Sequence, residues 1–491
     1  MKYLLKPEDY KGLKKTCAIL VTVFAVIGML FYFVAGNSLF YTRSETTMPN
    51  RASVTEYLPS QTKIIQAFAA QADQVESVIL YVTTRGHEKN TDVLNVSILD
   101  QSGRLLSTAK ADTSRMQNYA NFTVRFEEPA KTHKGETYFL VIESESGEEA
   151  NSISLYYGEV RGYSRYKVDK EIASESLLFG GRELDGSLCV SFVNIKNHWV
   201  GRYYWIGYVL SLLVLCGYIS IQLKKARDQK ITKPIRFYLD LKRYWFLITQ
   251  LVNRDFKAKY KRSVLGILWS FLNPLLTMMV QYVVFSTLFK SDTPNYVVYL
   301  FTGIICFNYV NEACNMSLSS IVGNTALITK VYVPKYLYPM TRVVTSTINL
   351  LLSLIPLMAA VLITGLPVRL SFILIVFDIV CMFLFSLGMG LILSTMMVYF
   401  RDTQFLWNVF SLLWCYLTPC FYTISILPSK LFPWYFFNPL LHYVNFLRTI
   451  LIDGVSPEPM QYLICLGSAL LVYSIGRSVF KKYENDFVLH L

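Results

Sequence analysis

Eight apolar stretches, at about 16–36, 203–223, 264–289, 297–321, 341–364, 371–399, 404–424 and 461–480, recur along this 491-residue chain. About 20 apolar residues in a helix cross the hydrocarbon core of a bilayer. A segment in lipid must satisfy its own backbone hydrogen bonds, so such a pattern confines the chain to a bundle of membrane-spanning helices. Charged residues make up only 16% of the sequence, against about 25% in soluble domains.

The net charge of +13 invites a nucleic-acid reading, but its distribution argues otherwise. Residues 40–198 hold 17 Lys and Arg against 21 Asp and Glu, while the rest of the chain holds 30 against 13. The surplus flanks the apolar stretches, where cations fix topology by staying on the cytoplasmic side. No nucleic-acid partner is expected. The first stretch follows Lys2, Lys6, Lys11, Lys14 and Lys15 and lacks a small-residue cleavage site, so it reads as a signal anchor with a cytoplasmic N-terminus. Threading outward from there places 40–198 outside the cell. Residues 224–262, with thirteen Lys and Arg, fall inside, as does the C-terminus with Arg477, Lys481 and Lys482.

Residues 254–274 join a basic segment, with Arg254, Lys257, Lys259, Lys261 and Arg262, directly to an apolar span. Upstream, Phe237, Leu241, Trp245, Ile248, Val252, Phe256 and Tyr260 recur at helical spacing, the mark of a helix lying in the membrane surface.

The outer region alternates in the manner of β structure at 76–83, 93–99, 104–109, 121–127, 136–143 and 152–157, with turn-forming runs between. A small antiparallel sandwich is the expected architecture. It loosely resembles jelly-roll domains of the galactose-binding and carbohydrate-binding-module type, although no residue motif sharpens that likeness. Tyr81, Tyr119, Tyr156 and Tyr157 either stack on sugar rings or fill a core. Residues 159–198 show no clear period and read as a link to the second span. Cys189 is the one cysteine in this region, so no disulfide can close within it. The nine cysteines read as small apolar residues.

The expected organisation is a cytoplasmic N-terminus and first anchor at 1–39, the β-sandwich at 40–198 and a second transmembrane helix at 199–224. A linker with the interface helix follows at 225–262, and a six-helix membrane domain at 263–491.

Several motifs in the last half arrive in order. Arg254-Asp255 through Tyr260-Lys261-Arg262-Ser263-Val264-Leu265-Gly266, on to Trp269, Asn273 and Pro274, is one. Leu327-Ile328-Thr329-Lys330-Val331-Tyr332-Val333-Pro334-Lys335 is the second, Tyr399-Phe400-Arg401-Asp402 the third, and Asn438-Pro439-Leu440 with Phe446-Leu447-Arg448 the fourth. From residue 235 onward the chain resembles the permease subunits of type 2 ABC exporters of O-antigen, capsular polysaccharide and teichoic acid. The first anchor, the outer sandwich and the second span lie outside that resemblance.

The resemblance implies an eight-helix membrane protein whose last six spans take the type 2 exporter fold. It also implies a second copy of the chain, and a separate ATPase subunit that holds ATP and Mg. The inner loop, with Lys330, Val331, Tyr332, Pro334 and Lys335, becomes the element that docks the ATPase. Arg254, Asp255, Lys259, Tyr260 and Arg262 belong to the interface helix, and Arg401 with Asp402 to a second inner turn. Each Arg-Asp pair either couples the interface helix to the bundle or anchors a helix end. The aromatic crowd of Trp407, Trp414, Tyr416, Phe421, Tyr422, Trp434 and Tyr435 either forms an ordinary interfacial belt or lines a glycan path. Pro428, Pro433, Pro439, Pro457 and Pro459 break any long helix, consistent with a re-entrant outer segment. Asp378, near the outer end of its span, is expected to reach water.

The sequence has no Gly-x-x-x-x-Gly-Lys-Ser/Thr loop to cradle nucleotide phosphates. No catalytic or metal-binding motif appears, and His87, His133, His198, His442 and His490 are scattered. The reading is therefore a non-enzymatic, homodimeric permease in the bacterial cytoplasmic membrane that moves a lipid-linked glycan. An exporter of small lipophilic compounds and a membrane-bound glycan sensor or transferase scaffold are the alternatives.

Overall fold

A computed structural model describes residues 6–46, 53–84, 90–148, 152–158, 177–184, 186–260, 266–289, 295–422 and 435–490. It separates into two compact units, Leu39–Gly201 and the remainder.

The smaller unit is an antiparallel β-sandwich. One sheet orders the strands Tyr41–Glu45, Val190–Asn197, Gln74–Thr83, Ser154–Gly158 and Ser187–Leu188, and Ala120–Lys131 also pairs with Gln74–Thr83. The other orders Arg182–Leu184, Leu177–Phe179, Lys63–Ala69, Thr137–Ser144, Val93–Leu99 and Leu105–Asp112. Alternation along these strands turns Val78, Leu80, Leu94, Val96, Leu140 and Ile142 into a shared core. Tyr81 is buried and stands 5.0 Å from Tyr156, whereas Tyr119 is exposed.

Val190–Asn197 corrects the expected link, because it forms an interior strand of the first sheet. Its period is broken by a bulge between Val193 and Asn194, which hides the alternation in sequence. Residues 159–176 of that stretch lie outside the described residues.

In the larger unit the helices are α1 (Pro7–Ala35), α2 (Val200–Arg227), α3 (Lys233–Tyr260), α4 (Trp269–Phe289), α5 (Tyr296–Leu318), α6 (Thr325–Lys330) and α7 (Leu337–Ile363). They continue as α8 (Ile375–Tyr399), α9 (Thr403–Leu417), α10 (Pro439–Arg448), α11 (Pro459–Tyr483) and α12 (Phe487–His490). Among the described residues six helices are long and apolar enough to cross a membrane: α1, α2, α5, α7, α8 and α11. The protein is thus a multi-pass membrane protein carrying a separate β domain.

The stretch at 264–289 forms α4, a helix of 21 residues from Trp269 to Phe289. One of the eight expected spans is shorter than anticipated. The stretch at 404–424 is helical only through Leu417, 15 residues, or roughly 22 Å at about 1.5 Å per residue. It stops because Thr418 precedes a proline and takes an extended backbone.

The bundle core forms where α5, α7, α8 and α11 meet, and glycines set the closest approach. Gly388 on α8 lies against the backbone of Val472 and Tyr473 on α11. Gly390, on the opposite side of α8, lies against Ser317 on α5. Small residues let helix backbones touch where lipid supplies no hydrophobic drive.

Asp378 does not reach water. It is fully buried, and among the described residues neither carboxylate oxygen has a hydrogen-bond partner. Cys306, Tyr443 and Cys465, from three neighbouring helices, stand near it. All nine cysteines are free thiols.

Candidate functional site

α3 is the long polar helix of this unit, admitting Pro234 in its first turn where no backbone donor is lost. Its protein-facing side carries Ile235, Leu239, Ile248, Leu251 and Val252, and it buries two acids, Asp240 and Asp255. Phe237, Trp245 and Phe246 are exposed. The helix therefore has two apolar stripes: Ile248 and Val252 of the expected face turn inward, while Phe237 and Trp245 turn outward.

Each buried acid meets a partner from the bundle. Asp255 stands between two arginines, with Arg254 at 3.1 Å and Arg342 of α7 at 3.0 Å. Arg254 also donates from both terminal nitrogens to Asn324 Oδ1 at 3.2 Å. Asn324, just before α6, donates to the Ser320 carbonyl. Three segments, the end of α3, the turn before α6 and the start of α7, are thereby knotted together. Asp255→Ala is expected to leave Arg342 without its counter-charge in a largely buried position. That loss costs about 3–5 kcal/mol for a buried pair, a lowered unfolding temperature in detergent would report it, and an unchanged temperature would contradict it.

The inner loop is held from both sides. From α3, the Tyr244 hydroxyl donates to the Tyr332 carbonyl at 3.2 Å, and Asp240 accepts from the Tyr336 hydroxyl at 3.1 Å. From the C-terminal side, Lys335 donates to the Glu484 carbonyl and its ammonium lies 5.6 Å from the Phe487 ring. Burial pushes the Lys335 ammonium below its usual range and the Glu484 carboxyl above its own, and their attraction offsets this only in part. Val333 is buried and Pro334 half-buried, so the loop's base is fixed. The side chains of its tip face outward: Lys330 and Val331 are exposed, and Tyr332 is 85% exposed.

Arg401 and Asp402 are both exposed and form no ion pair among the described residues. Asp402 sits at the N-cap of α9 without a side-chain cap bond. The side chains of Lys259 and Tyr260, and the residues Arg262 and Trp434, lie outside what is described.

At the other end of the bundle, Arg448 closes α10. It is buried, and it donates to the carbonyls of Tyr299 (3.1 Å), Pro419 (3.0 Å) and Cys420 (3.1 Å). Its guanidinium carbon lies 3.4 Å from the Tyr299 ring centroid. The same turn is held by Tyr296 donating to the Phe421 carbonyl and Tyr299 donating to that of Tyr422. Trp414 donates to Asn438, which donates in turn to Thr418.

The aromatic crowd is therefore divided. Trp407, Phe421 and Tyr435 are buried, and Trp414 and Tyr422 have their polar atoms engaged in holding the turn. Tyr416 is 61% exposed, on the α9 face that also carries Phe405, Val409 and Leu412. Arg448 was visible in sequence only as part of a motif. The signal that marks it is the cost of an ionisable residue within an apolar stretch.

The model of the ABC-2 type transporter family matches residues 247–452. An O-antigen export system permease protein RfbA from Klebsiella pneumoniae is 30% identical over 244 residues, covering 93% of that protein and 49% of this chain. The chain belongs to the ABC-2 type transporter family. An RfbA protein from Myxococcus xanthus is 28% identical over 259 residues, 98% of its length and 52% of this chain. The capsule polysaccharide export inner-membrane protein CtrC from Neisseria meningitidis serogroup A is 24% identical over 247 residues, 91% of its length and 49% of this chain. The family match begins within α3 and ends just past α10, so this ABC-2 permease domain contains both the inner loop and the Arg448 clamp. The helices α1 and α2 and the β-sandwich lie outside it.

Proposed function

We propose that the chain is the permease subunit of an ATP-driven exporter that carries a lipid-linked polysaccharide, of the O-antigen, capsule or teichoic-acid kind, across the bacterial cytoplasmic membrane. Two copies enclose the path, and a separate ATPase subunit, holding ATP and Mg, docks on each inner loop. Both termini face the cytoplasm and residues 40–198 lie outside.

The observation that carries this reading is the loop at 330–335. Its base is clamped between α3 and the C-terminal segment, and its tip offers a cation and an aromatic ring to a soluble partner. A push on such a tip is delivered to α3 and α7, not dissipated in a mobile loop. The relatives named for O-antigen and capsule polysaccharide export support the cargo class. On the exit side, the exposed face of α9 with Tyr416 is the part of the aromatic crowd free to meet a second copy or a sugar ring.

Depleting the protein in its own cell is expected to accumulate a long lipid-linked glycan inside while the surface polymer disappears. Unchanged glycans would move the small-lipophile exporter to first place. Tyr332→Ala tests the docking loop. The side chain is exposed, so stability should stay within about 0.5 kcal/mol, while ATPase recovered with the permease and surface polymer should both fall at least tenfold, the order of an interface hot spot. Full recovery and full export would remove Tyr332 from the docking surface.

A further inference from the structure

The α1–α2 hairpin lies outside the family match, yet its inner end is built into α3. Leu13 of α1, Ala226 of α2 and Ile235 and Leu239 of α3 form a buried apolar cluster. Lys242 pairs with Asp9 at 2.8 Å. That carboxylate holds the Lys242 ammonium above its usual range. Tyr238 lies so close to Gly12 that a Cβ there would fall 2.7 Å from its hydroxyl.

The two helices are fastened to one another further out. Tyr204 and Tyr208 of α2 donate to the carbonyls of Gly28 (2.5 Å) and Ala25 (2.7 Å) of α1. Tyr208 fills the space a side chain at position 28 would need. These bonds prevent the helices from sliding past one another. Near its outer end α1 leans on the bundle, with Phe31 edge-on to Tyr462 at 5.2 Å and Val34 within the bundle core.

Between α1 and α2 the chain forms the whole β-sandwich. It enters through Tyr41–Glu45 and leaves through Val190–Asn197, and these two strands pair directly, Tyr41 opposite Asn197. The chain thus enters and leaves the domain through one pair of adjacent strands, its stem, of which Val190–Asn197 is also paired within the first sheet.

We propose that the α1–α2 hairpin is a lever: Asp9, Lys242 and Tyr238 tie its inner end to α3, so that movement of α3 is delivered through the hairpin to the β-sandwich stem. This rests on the reading of 330–335 as the ATPase docking loop, because α3 receives that movement through Tyr244 and Asp240. The contact of Phe31 with Tyr462 serves as the fulcrum. The consequence is that the β domain changes with the nucleotide state of the ATPase.

The test is hydrogen exchange of the full permease–ATPase complex in nanodiscs, with ADP against a non-hydrolysable ATP analogue. In the unaltered protein both α3 (233–260) and the stem (41–45 and 190–197) are expected to change exchange rate at least twofold between the two nucleotides. In Lys242→Asp the α3 response should persist and the stem response vanish. The exchanged pair, Asp9→Lys with Lys242→Asp, should restore it, which separates a lost link from a misfolded protein. A stem response that survives Lys242→Asp, or is absent from the unaltered complex while α3 responds, overturns the lever. No response in α3 itself overturns the docking-loop reading, and the lever with it.

Discussion

Arg448→Ala is expected to release the turn at 418–422 and to expose Cys420. The guanidinium is the common partner of three carbonyls from two segments, and its removal leaves those of Pro419 and Cys420 buried without it. Each unsatisfied buried acceptor costs about 1–3 kcal/mol, and the stacking on Tyr299 adds about 2 kcal/mol when desolvated. Gly303 explains why the site cannot simply collapse. It already touches Cys420 and Arg448 so closely that a Cβ there would lie 2.8 Å from the Cys420 Cα. Arg448→Lys keeps a charge but lacks the fork that reaches three oxygens, so it should rescue the turn only in part. The measurement is maleimide labelling in a variant whose only cysteine is Cys420. Protection in the parent, rapid labelling in Arg448→Ala and an intermediate rate in Arg448→Lys are expected. Equal protection in all three would show that the turn is held without Arg448.

How much of this was legible in the sequence varies with the range of the interaction. Apolar length identified α1, α2, α5, α7, α8 and α11, because a spanning helix is fixed by its own composition. Alternation identified Val93–Leu99 and Thr137–Ser144, whose patterns are local. Lys63–Ala69 was missed because Ile64 and Ile65, then Ala67, Phe68 and Ala69, run without a period of two. The loop at 330–335 was recognised by motif, but its clamping by Tyr244 and Lys335 joins positions far apart in the chain and left no local mark. The same holds for Asp255. Its neighbour Arg254 was an obvious partner, whereas Arg342, 87 residues on, was not. Asp378 was misjudged because distance from a helix end says nothing about what covers that end.

Gly476→Ala is expected to disrupt the bundle more than its single added methyl suggests. A Cβ at 476 would stand 2.2 Å from the Gly388 carbonyl oxygen, and one at 388 would stand 2.6 Å from the Tyr473 backbone nitrogen. Both obstacles are backbone, which no rotamer change can clear, so α11 must move off α8. The helix α8 cannot yield in turn. Gly390 lies about 200° around the helix from Gly388 at 3.6 residues per turn, and a Cβ there would stand 2.7 Å from Ser317 Oγ on α5. With α8 wedged between two helices, the usual overpacking cost of about 1–3 kcal/mol becomes a lower bound. The unfolding temperature in detergent should fall by roughly 5–10 °C, taking a few degrees for each kcal/mol. Gly467→Ala on the same helix is the matched control. Among the described residues it meets nothing within 4 Å, and alanine is the better helix former by about 1 kcal/mol, so its unfolding temperature should hold or rise. If Gly476→Ala and Gly467→Ala behave alike, the close contact of α8 with α11 does not set the packing of this domain. If only the first destabilises, that contact determines how far α11 stands from α8, and with it where the segment carrying Glu484 and Phe487 meets Lys335.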